Sequence, residues 1–277
     1  MMKKFTLRNI VLLMLCAVGF VFSSCSDDDC DCPEVKPTIA DRLLGKWVCD
    51  NAYIWEDGEW VNIDDLIEPD ERLIVVRPMS QFEFRKDRKF VTKYDYDNWV
   101  ASKAGTWGID EVTKTLYVSA DGIAAPATIS RLDNNVLELF FGMEERIPRK
   151  MIYNRIKTAP AKTLYDQVLG KWNYLGVYEK TDGEWVAVES GVPDELSLIF
   201  TEDGMLTAYF SYDGAVSEWD DDWQINIVTG ALGVGYSEDE GVITMDGDNR
   251  MELEVAEFYD FSVDVTRDGE FKWCTKG

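Results

Sequence analysis

The amino-acid sequence predicts an all-β protein with two tandem, small antiparallel β-barrels. Three observations lead to this fold class: an internal repeat, short segments in which apolar and polar residues alternate, and Asp-Gly pairs between those segments. The chain has 277 residues, which is enough for one large or two small domains. Because 46% of the residues are apolar, packed cores are expected rather than global disorder.

The internal repeat is clearest where each copy begins. The stretch GKWVCDNAYIWEDGEWV starts at Gly45, and GKWNYLGVYEKTDGEWV starts at Gly170. Further along, the segment from Phe84 aligns with the segment from Phe200, with the order of features kept and only loop lengths changed. We interpret this pattern as an internal duplication of a unit of about 115 residues.

Each copy consists of short predicted strands that are separated by turns. Met251, Leu253 and Val255 alternate with charged residues, which is typical of an antiparallel strand with one buried face. Asp-Gly pairs favour tight hairpin turns, and they fall between such segments. These pairs are at 57–58, 182–183 and 203–204.

A short helical turn is expected before the first strand of each copy, in TIADRLL from Thr38 and in KTLYDQVL from Lys162. The stretch between the copies contains Pro160 and is predicted to be a linker. The predicted domain boundaries are therefore a first barrel at 38–157, a linker at 158–163 and a second barrel at 164–277.

The N-terminal segment is organised like a cleaved export signal. Lys3, Lys4 and Arg8 form a positive region, and an apolar run of about 13 residues follows, which is too short to span a membrane comfortably as a helix. Small residues then lead to Cys25. The pattern resembles a bacterial lipoprotein signal, which implies that residues 1–24 are removed and that Cys25 is acylated.

Residues 25–37 are predicted to form an acidic tether. Ser26 and the three aspartates that follow it resemble the sorting and export tag of lipoproteins in Gram-negative gut bacteria. This resemblance implies a lipid-anchored protein of the outer membrane that is exposed at the cell surface. Outer-membrane lipid is then an expected partner, held through the acyl chains on Cys25.

Composition excludes several classes of function. The chain has 28 basic and 52 acidic residues, a net charge of −24, which disfavours nucleic acid as a partner. It contains no histidine, so His-activated nucleophiles and His-ligated metals are excluded. Carboxylate pairs arise by chance in so acidic a chain, and the predicted barrels are small for a sugar cleft. We expect a binding protein rather than an enzyme, and no cofactor.

The Gly-Lys-Trp motifs at the start of the two copies resemble the Gly-x-Trp signature of the lipocalin superfamily. The resemblance extends over both copies and is nearest to the lipocalin-like domains of lipoproteins from Gram-negative gut bacteria. It implies that Trp47 and Trp172 close one end of each barrel. It also implies that an arginine of the last strand lies across each indole, for which Arg155 and Arg267 are the candidates.

The sequence leaves open whether the barrels are hollow or filled. A small eight-stranded barrel is either filled by its own side chains or holds one small ligand. For a hollow barrel, we expect an apolar or amphipathic ligand lined by inward-facing aromatic side chains. The predicted lining residues are Phe84, Tyr94, Phe200, Phe210 and Tyr212.

The densest candidate site is the stretch SEWDDDWQIN from Ser217 to Asn226. Its first interpretation is a solvated hairpin tip that leads into the strand of Trp223. The alternatives are a calcium site at Asp220, Asp221 and Asp222, or a glycan platform that uses the flanking indoles.

Tryptophans on the barrel exteriors suggest a rival function for filled barrels. If several of them share one exposed patch, the protein binds glycan or another protein through its surface. The candidates are Trp55, Trp60, Trp99 and Trp185.

Four cysteines outside the signal and the lipidation site have a disulfide state that the sequence does not decide. These are Cys30, Cys32, Cys49 and Cys274.

Overall fold

A computed structural model describes residues 36–65, 79–96, 98–120, 122–142, 148–235, 237–260 and 265–277. The predicted signal segment, Cys25 and most of the predicted tether lie outside the described residues, as do Cys30 and Cys32. Residues Pro37–Gly277 form one compact unit. Within the described part of the chain, no helix has the length and apolar character needed to cross a membrane.

The first half of this unit is a ring of antiparallel strands behind a short helix. Its elements are α1 (Ile39–Leu43), β1 (Gly45–Glu56), β2 (Glu59–Asn62), a 3-10 turn (Ile63–Asp65), β3 (Met79–Phe84), β4 (Lys89–Tyr96), β5 (Trp99–Asp110), β6 (Thr115–Ala120), β7 (Ile123–Leu132), β8 (Val136–Phe141) and β9 (Arg149–Arg155). Strands β3 to β9 pair with their neighbours in order. Strand β1 pairs with both β3 and β9, which closes the ring, and β2 adds a hairpin to the far end of β1. We call this ring the first barrel.

The second half has the same order of elements. They are α2 (Leu164–Val168), β10 (Gly170–Thr181), β11 (Glu184–Ala187), β12 (Glu195–Phe200), β13 (Met205–Tyr212), β14 (Ala215–Asn226), β15 (Ala231–Val234), β16 (Ser237–Met245), β17 (Arg250–Asp260) and β18 (Val265–Lys276). Strands β12 to β18 pair in order, and β10 pairs with both β12 and β18. This closed ring is the second barrel. The predicted fold class, antiparallel all-β with closed barrels, is confirmed.

Local sequence explains how both barrels begin. Thr38 and Thr163 each cap the helix that follows, and in each case the side-chain oxygen accepts a hydrogen bond from the backbone N–H three residues on. The carboxylates of Asp41 and Asp166 accept the backbone N–H of their threonine in return, at 3.0 Å. These reciprocal bonds satisfy helix N–H groups that would otherwise lack a partner.

Two of the three predicted Asp-Gly turns have the backbone that two-residue hairpins require. Asp57 and Gly58 both have positive φ, 50° and 90°, and Asp182 and Gly183 repeat this with 53° and 86°. Positive φ at both central residues matches the right-handed twist of the flanking strands, so these turns join β1 to β2 and β10 to β11 tightly.

Backbone pairing between β5 and β14 joins the two barrels. Val100 of β5 lies opposite Ile225 of β14 and is buried within the core of the second barrel. Lys93 Nζ lies 2.7 Å from the Asp166 carboxylate on α2 and 4.6 Å from the centre of the Tyr165 ring. The first barrel therefore packs against the helix that precedes the second.

Candidate ligand-binding site

The interior of the second barrel contains a cavity of about 340 Å³. It reaches the surface at Trp219, whose side chain is 44% exposed. Seven of the described residues that border it have aliphatic or aromatic hydrocarbon side chains, and the other two are Trp219 and Asp221. The full lining is Leu198, Phe200, Leu206, Trp219, Asp221, Leu232, Val234, Leu253 and Val255.

Strand register places Trp219 and Asp221 on the inner face of β14. Residues that lie directly opposite each other in an antiparallel pair share one face of the sheet. Asp221 is opposite Leu206, and Trp219 is opposite Ala208. Because Leu206 and Ala208 are buried in the core, their partners on β14 also face inward.

An aromatic floor closes the other end of the second barrel. Trp172 is buried, and its indole N–H donates to the carbonyl of Val168 at 2.6 Å. The rings of Tyr165 and Trp223 stack with centroids 4.6 Å apart, and Phe200 meets Trp223 edge-on at 4.9 Å. Burial raises the pKa of the Tyr165 hydroxyl to about 12, so this hydroxyl is neutral at ordinary pH.

Aromatic side chains pack against one another inside the first barrel. Phe82 contacts Phe84, Phe90 and Tyr153, with ring centroids 5.2, 5.9 and 5.4 Å apart. All four side chains are at most 2% exposed. A barrel of this size has room for such rings or for a small ligand, and here the rings occupy the space.

One difference between the barrels lies beside the buried tryptophans. Phe82 is opposite Trp47 in the first barrel, and Leu198 is opposite Trp172 in the second. The two positions correspond in register, so a leucine replaces a phenylalanine next to the floor of the second barrel. The smaller side chain leaves part of the interior empty.

Two further positions show the same reduction in size. Phe90 of the first barrel corresponds in register to Leu206 of the second. Tyr153 of the first barrel corresponds to Thr275 of the second. Tyr153 pairs with Cys49 and Thr275 pairs with Tyr174, and each of these partners lies two residues after the tryptophan of its Gly-Lys-Trp motif. Three large rings are thus replaced by smaller side chains, and two of the replacements, Leu198 and Leu206, line the cavity of the second barrel.

The acidic stretch is a strand and not a hairpin tip, so its first interpretation was wrong. It forms all of β14 except the first two residues, and the turn before it is at Asp213 and Gly214. Pairing with all of β13 keeps it extended. Asp220 and Asp222 lie on the face opposite to Asp221, because successive strand residues alternate.

The alternative interpretation, a calcium site at Asp220, Asp221 and Asp222, is therefore contradicted. The three carboxylates lie on two faces of one strand and cannot converge on a single ion. The outward Asp222 carboxylate lies 2.5 Å from Lys103 Nζ of the first barrel. The Asp221 carboxylate accepts the backbone N–H of Asp222 at 2.8 Å. Among the described residues, no group of His, Cys, Asp or Glu is arranged to hold a metal ion.

Comparison with known proteins finds no matching family model and no matching curated protein. A crystal structure of a lipocalin-like protein from Bacteroides uniformis matches with 13% identity and a TM-score of 0.30, over 42% of this chain and 99% of that one. A protein of unknown function from the DUF3598 family of Nostoc punctiforme matches with 12% identity and a TM-score of 0.25, over 85% of this chain and 96% of that one. With TM-scores this low, neither structure bears on the ligand or on the site residues.

The predicted lining residues are spread over several environments. Phe200 lines the cavity, whereas Phe84 belongs to the filled core of the first barrel. Phe210 borders a separate groove of about 390 Å³. Tyr94 is half-buried on β4 opposite Ala101, and Tyr212 is half-buried at the end of β13.

Arg155 lies across Trp47 at the closed end of the first barrel. Its guanidinium carbon is 4.1 Å from the centre of the indole ring. The same guanidinium donates to the backbone carbonyls of Arg42, Leu44 and Asn134, the latter two at 2.6 and 3.0 Å. It therefore ties β9 to the end of α1 while it covers the indole.

The prediction that Arg267 lies across Trp172 was wrong. Strand β18 continues to Lys276, and the register sets Arg267 opposite Phe258, far along the strand from the tryptophan. Lys276 pairs with Asn173, so Gly277 comes next to Trp172. A Cβ on Gly277 would lie 3.2 Å from the indole. Arg267 lies near the start of β18, whereas the residue beside the indole directly follows the end of this strand.

The surface tryptophans do not form one patch. Trp55 and Trp60 pack edge-on at 5.2 Å in the first barrel, and Trp99 lies opposite Asn226 at the junction of the barrels. Trp185 is in the second barrel, where Lys272 Nζ lies 4.5 Å above its ring. These indoles pack on hairpins and at the junction rather than over a shared binding surface.

Sequence reasoning missed Trp219 and Asp221 as lining residues. The signal was present, because counting back from the buried Trp223 in steps of two reaches both of them. The run of acidic residues concealed this alternation, since it suggested a solvated loop.

Proposed function

We propose that the second barrel binds a small apolar or amphipathic molecule in its cavity, and that the first barrel is a filled scaffold. The observation that carries this proposal is the cavity of about 340 Å³ with its largely apolar lining. Its volume falls within the range of roughly 300–1,000 Å³ that is typical of small-molecule sites. The protein would act by binding and not by catalysis.

Burial of the ligand's apolar surface would supply most of the binding free energy. Leu232, Leu253 and Val255 present hydrocarbon to the cavity, and such contacts contribute about 25 cal/mol per Å² of apolar surface removed from water. The lining is carried on paired strands of a closed ring. A site held in this way is largely preformed, so little ordering is required when the ligand binds.

The experiment that tests this proposal fills the cavity with the side chains of the first barrel. We expect an environment-sensitive apolar dye to bind the protein saturably, and a double variant, Leu198→Phe with Leu206→Phe, to lose this binding. Val186→Phe is the control, because Val186 is 52% exposed on β11 and lies outside the cavity. Saturable binding that persists in a folded double variant would place the dye elsewhere and contradict the proposal.

We further propose that the protein is anchored in the outer membrane through an acylated Cys25 and faces the cell exterior. The support is the N-terminal sequence pattern alone. Metabolic labelling with a fatty-acid analogue is expected to mark the wild-type protein and a Cys30→Ser variant, but not Cys25→Ser. Protease treatment of intact cells would then distinguish a surface-exposed protein from one that faces the periplasm.

A second candidate function is the binding of glycan or protein at the outside of the second barrel. The groove of about 390 Å³ favours it, since it combines aromatic side chains with carboxylates, an amide and hydroxyls, as sugar-binding surfaces do. Its lining includes Asn173, Tyr174, Asp194, Glu195, Tyr209 and Phe210. Glycan binding that is lost in Tyr209→Ala and kept in the cavity-filled double variant would support this function.

A further inference from the structure

We infer that the cavity of the second barrel selects a small amphipathic cation, whose ammonium group lies between the Asp221 carboxylate and the Trp219 indole. This inference rests on the proposed function, because it specifies the ligand of the same cavity. It specifies the sign of the ligand's charge, which the apolar lining alone does not determine.

The first argument is the charge of the lining. Asp221 is the one charged side chain among the described residues that border the cavity. The remaining lining is hydrocarbon apart from the indole of Trp219. A carboxylate beside an apolar wall is poorly compensated by water, so an opposite charge on the ligand is favoured there and a like charge is disfavoured.

The second argument is the position of Trp219. It lies two residues before Asp221 on the same inward face of β14, near the surface end of the cavity. The face of an indole attracts cations through its quadrupole, and tryptophan is the best of the aromatic residues at this. A cation at the mouth would therefore meet a carboxylate and an indole, while its apolar part extends inward.

The third argument is that the barrel fold does not require this pair. The first barrel has Gly105 at the position that corresponds to Asp221, opposite Phe90, and Lys103 at the position that corresponds to Trp219. The equivalent strand β5 thus forms part of the closed first barrel without a carboxylate or an indole at these two positions. Their presence in the hollow barrel is better explained by a ligand.

The backbone around Asp221 leaves room for its carboxylate. Gly235 follows β15 with a φ of +59°, and a Cβ at this position would lie 2.8 Å from Asp221 Oδ2. The other carboxylate oxygen accepts the backbone N–H of Asp222, which holds the group in one orientation. The side chain is therefore positioned as a fixed anion rather than as a mobile one.

The experiment compares three ligands that share one apolar chain: octylammonium, octanol and octanoate. Each displaces the bound dye from the purified protein at low ionic strength, and calorimetry gives the affinity. We expect octylammonium to bind about 10-fold more tightly than octanol and octanoate to bind more weakly than both. In Asp221→Asn, the affinities for octylammonium and octanol should become equal within about 2-fold.

The matched control is Asp220→Asn, which removes the same charge from the outer face of the same strand. It should keep the preference for octylammonium, whereas a preference that arises from the acidic surface as a whole would fall in both variants or in neither. Trp219→Leu should weaken octylammonium more than octanol. If octanol binds but the wild type shows no preference for the cation, the inference is overturned and the proposed function stands. If none of the three ligands binds, the proposed function itself fails, and the inference fails with it.

Discussion

The hydroxyl of Ser102 on β5 lies 2.5 Å from the hydroxyl of Tyr165 on α2, so a hydrogen bond connects the first barrel to the floor of the second. Ser102 Oγ also donates to the carbonyl of Glu202 at 2.6 Å. The Tyr165 hydroxyl is therefore the donor to Ser102. Both side chains are at most 2% exposed, so this contact between the barrels is buried and both hydroxyls are hydrogen-bonded.

The first prediction removes this bond. Tyr165→Phe should lower the free energy of unfolding by about 1 kcal/mol, because a buried hydrogen bond is lost while the ring keeps its stacking on Trp223. Chemical denaturation measures the change. Tyr117→Phe, at a side chain that is 47% exposed, should leave stability nearly unchanged. Equal effects in the two variants would contradict a structural role for the bond.

The second prediction concerns alkaline pH. Burial raises the folded-state pKa of Tyr165 to about 12, against an unfolded value of about 10. The folded state then holds its proton more tightly, so this contribution is fully present below pH 10 and is lost as the pH rises towards 12. The loss should amount to ~2–3 kcal/mol.

Unfolding at a series of pH values tests this expectation. The wild type should lose more stability above pH 10 than Tyr165→Phe, so that the two curves converge and then cross as the pH approaches 12. Tyr153, whose pKa burial also raises, remains in both proteins and contributes equally to both curves. Parallel curves would show that Tyr165 does not carry the alkaline loss.

The third prediction separates steric collision from backbone strain at the junction. Gly204 has a φ of +84°, and a Cβ there would collide with the carbonyl oxygen of Ser102. Gly183 has nearly the same φ, +86°, with nothing within 4 Å of its Cβ position. Gly183→Ala should cost about 1 kcal/mol through strain, and Gly204→Ala at least about 1–2 kcal/mol more. Similar costs in a thermal or chemical denaturation series would mean that the barrels are not in contact here.

The fourth prediction concerns Arg155 and Trp47. Lysine keeps the charge but lacks the planar fork that bonds the backbone around α1, so Arg155→Lys should destabilise the protein by about 1–2 kcal/mol. The exposed Arg131 provides the control, and Arg131→Lys should change stability by less than about 0.5 kcal/mol. Denaturation midpoints give both values. An Arg155→Lys protein as stable as the wild type would show that the guanidinium geometry is unimportant.

Part of the site could be predicted from the sequence and part could not. Phe200 was recognised as a lining residue because it aligns with Phe84 at the end of a strand with an apolar inner face. The cavity next to it could not be predicted, since it depends on Leu198 and Leu206, which come from different strands. Only the register shows that these residues occupy the places of larger rings.

By itself, the sequence determined the class of the fold and the way each barrel begins, because these depend on neighbours along the chain. Alternating apolar residues, Asp-Gly turns and the threonine caps act within a few residues, so they can be read locally. The tertiary structure alone decided where β18 ends, that Asp221 faces inward, which barrel is hollow, and that β5 pairs with β14. Each of these depends on contacts between residues that are distant in sequence, and their energies come from packing and register rather than from local preference.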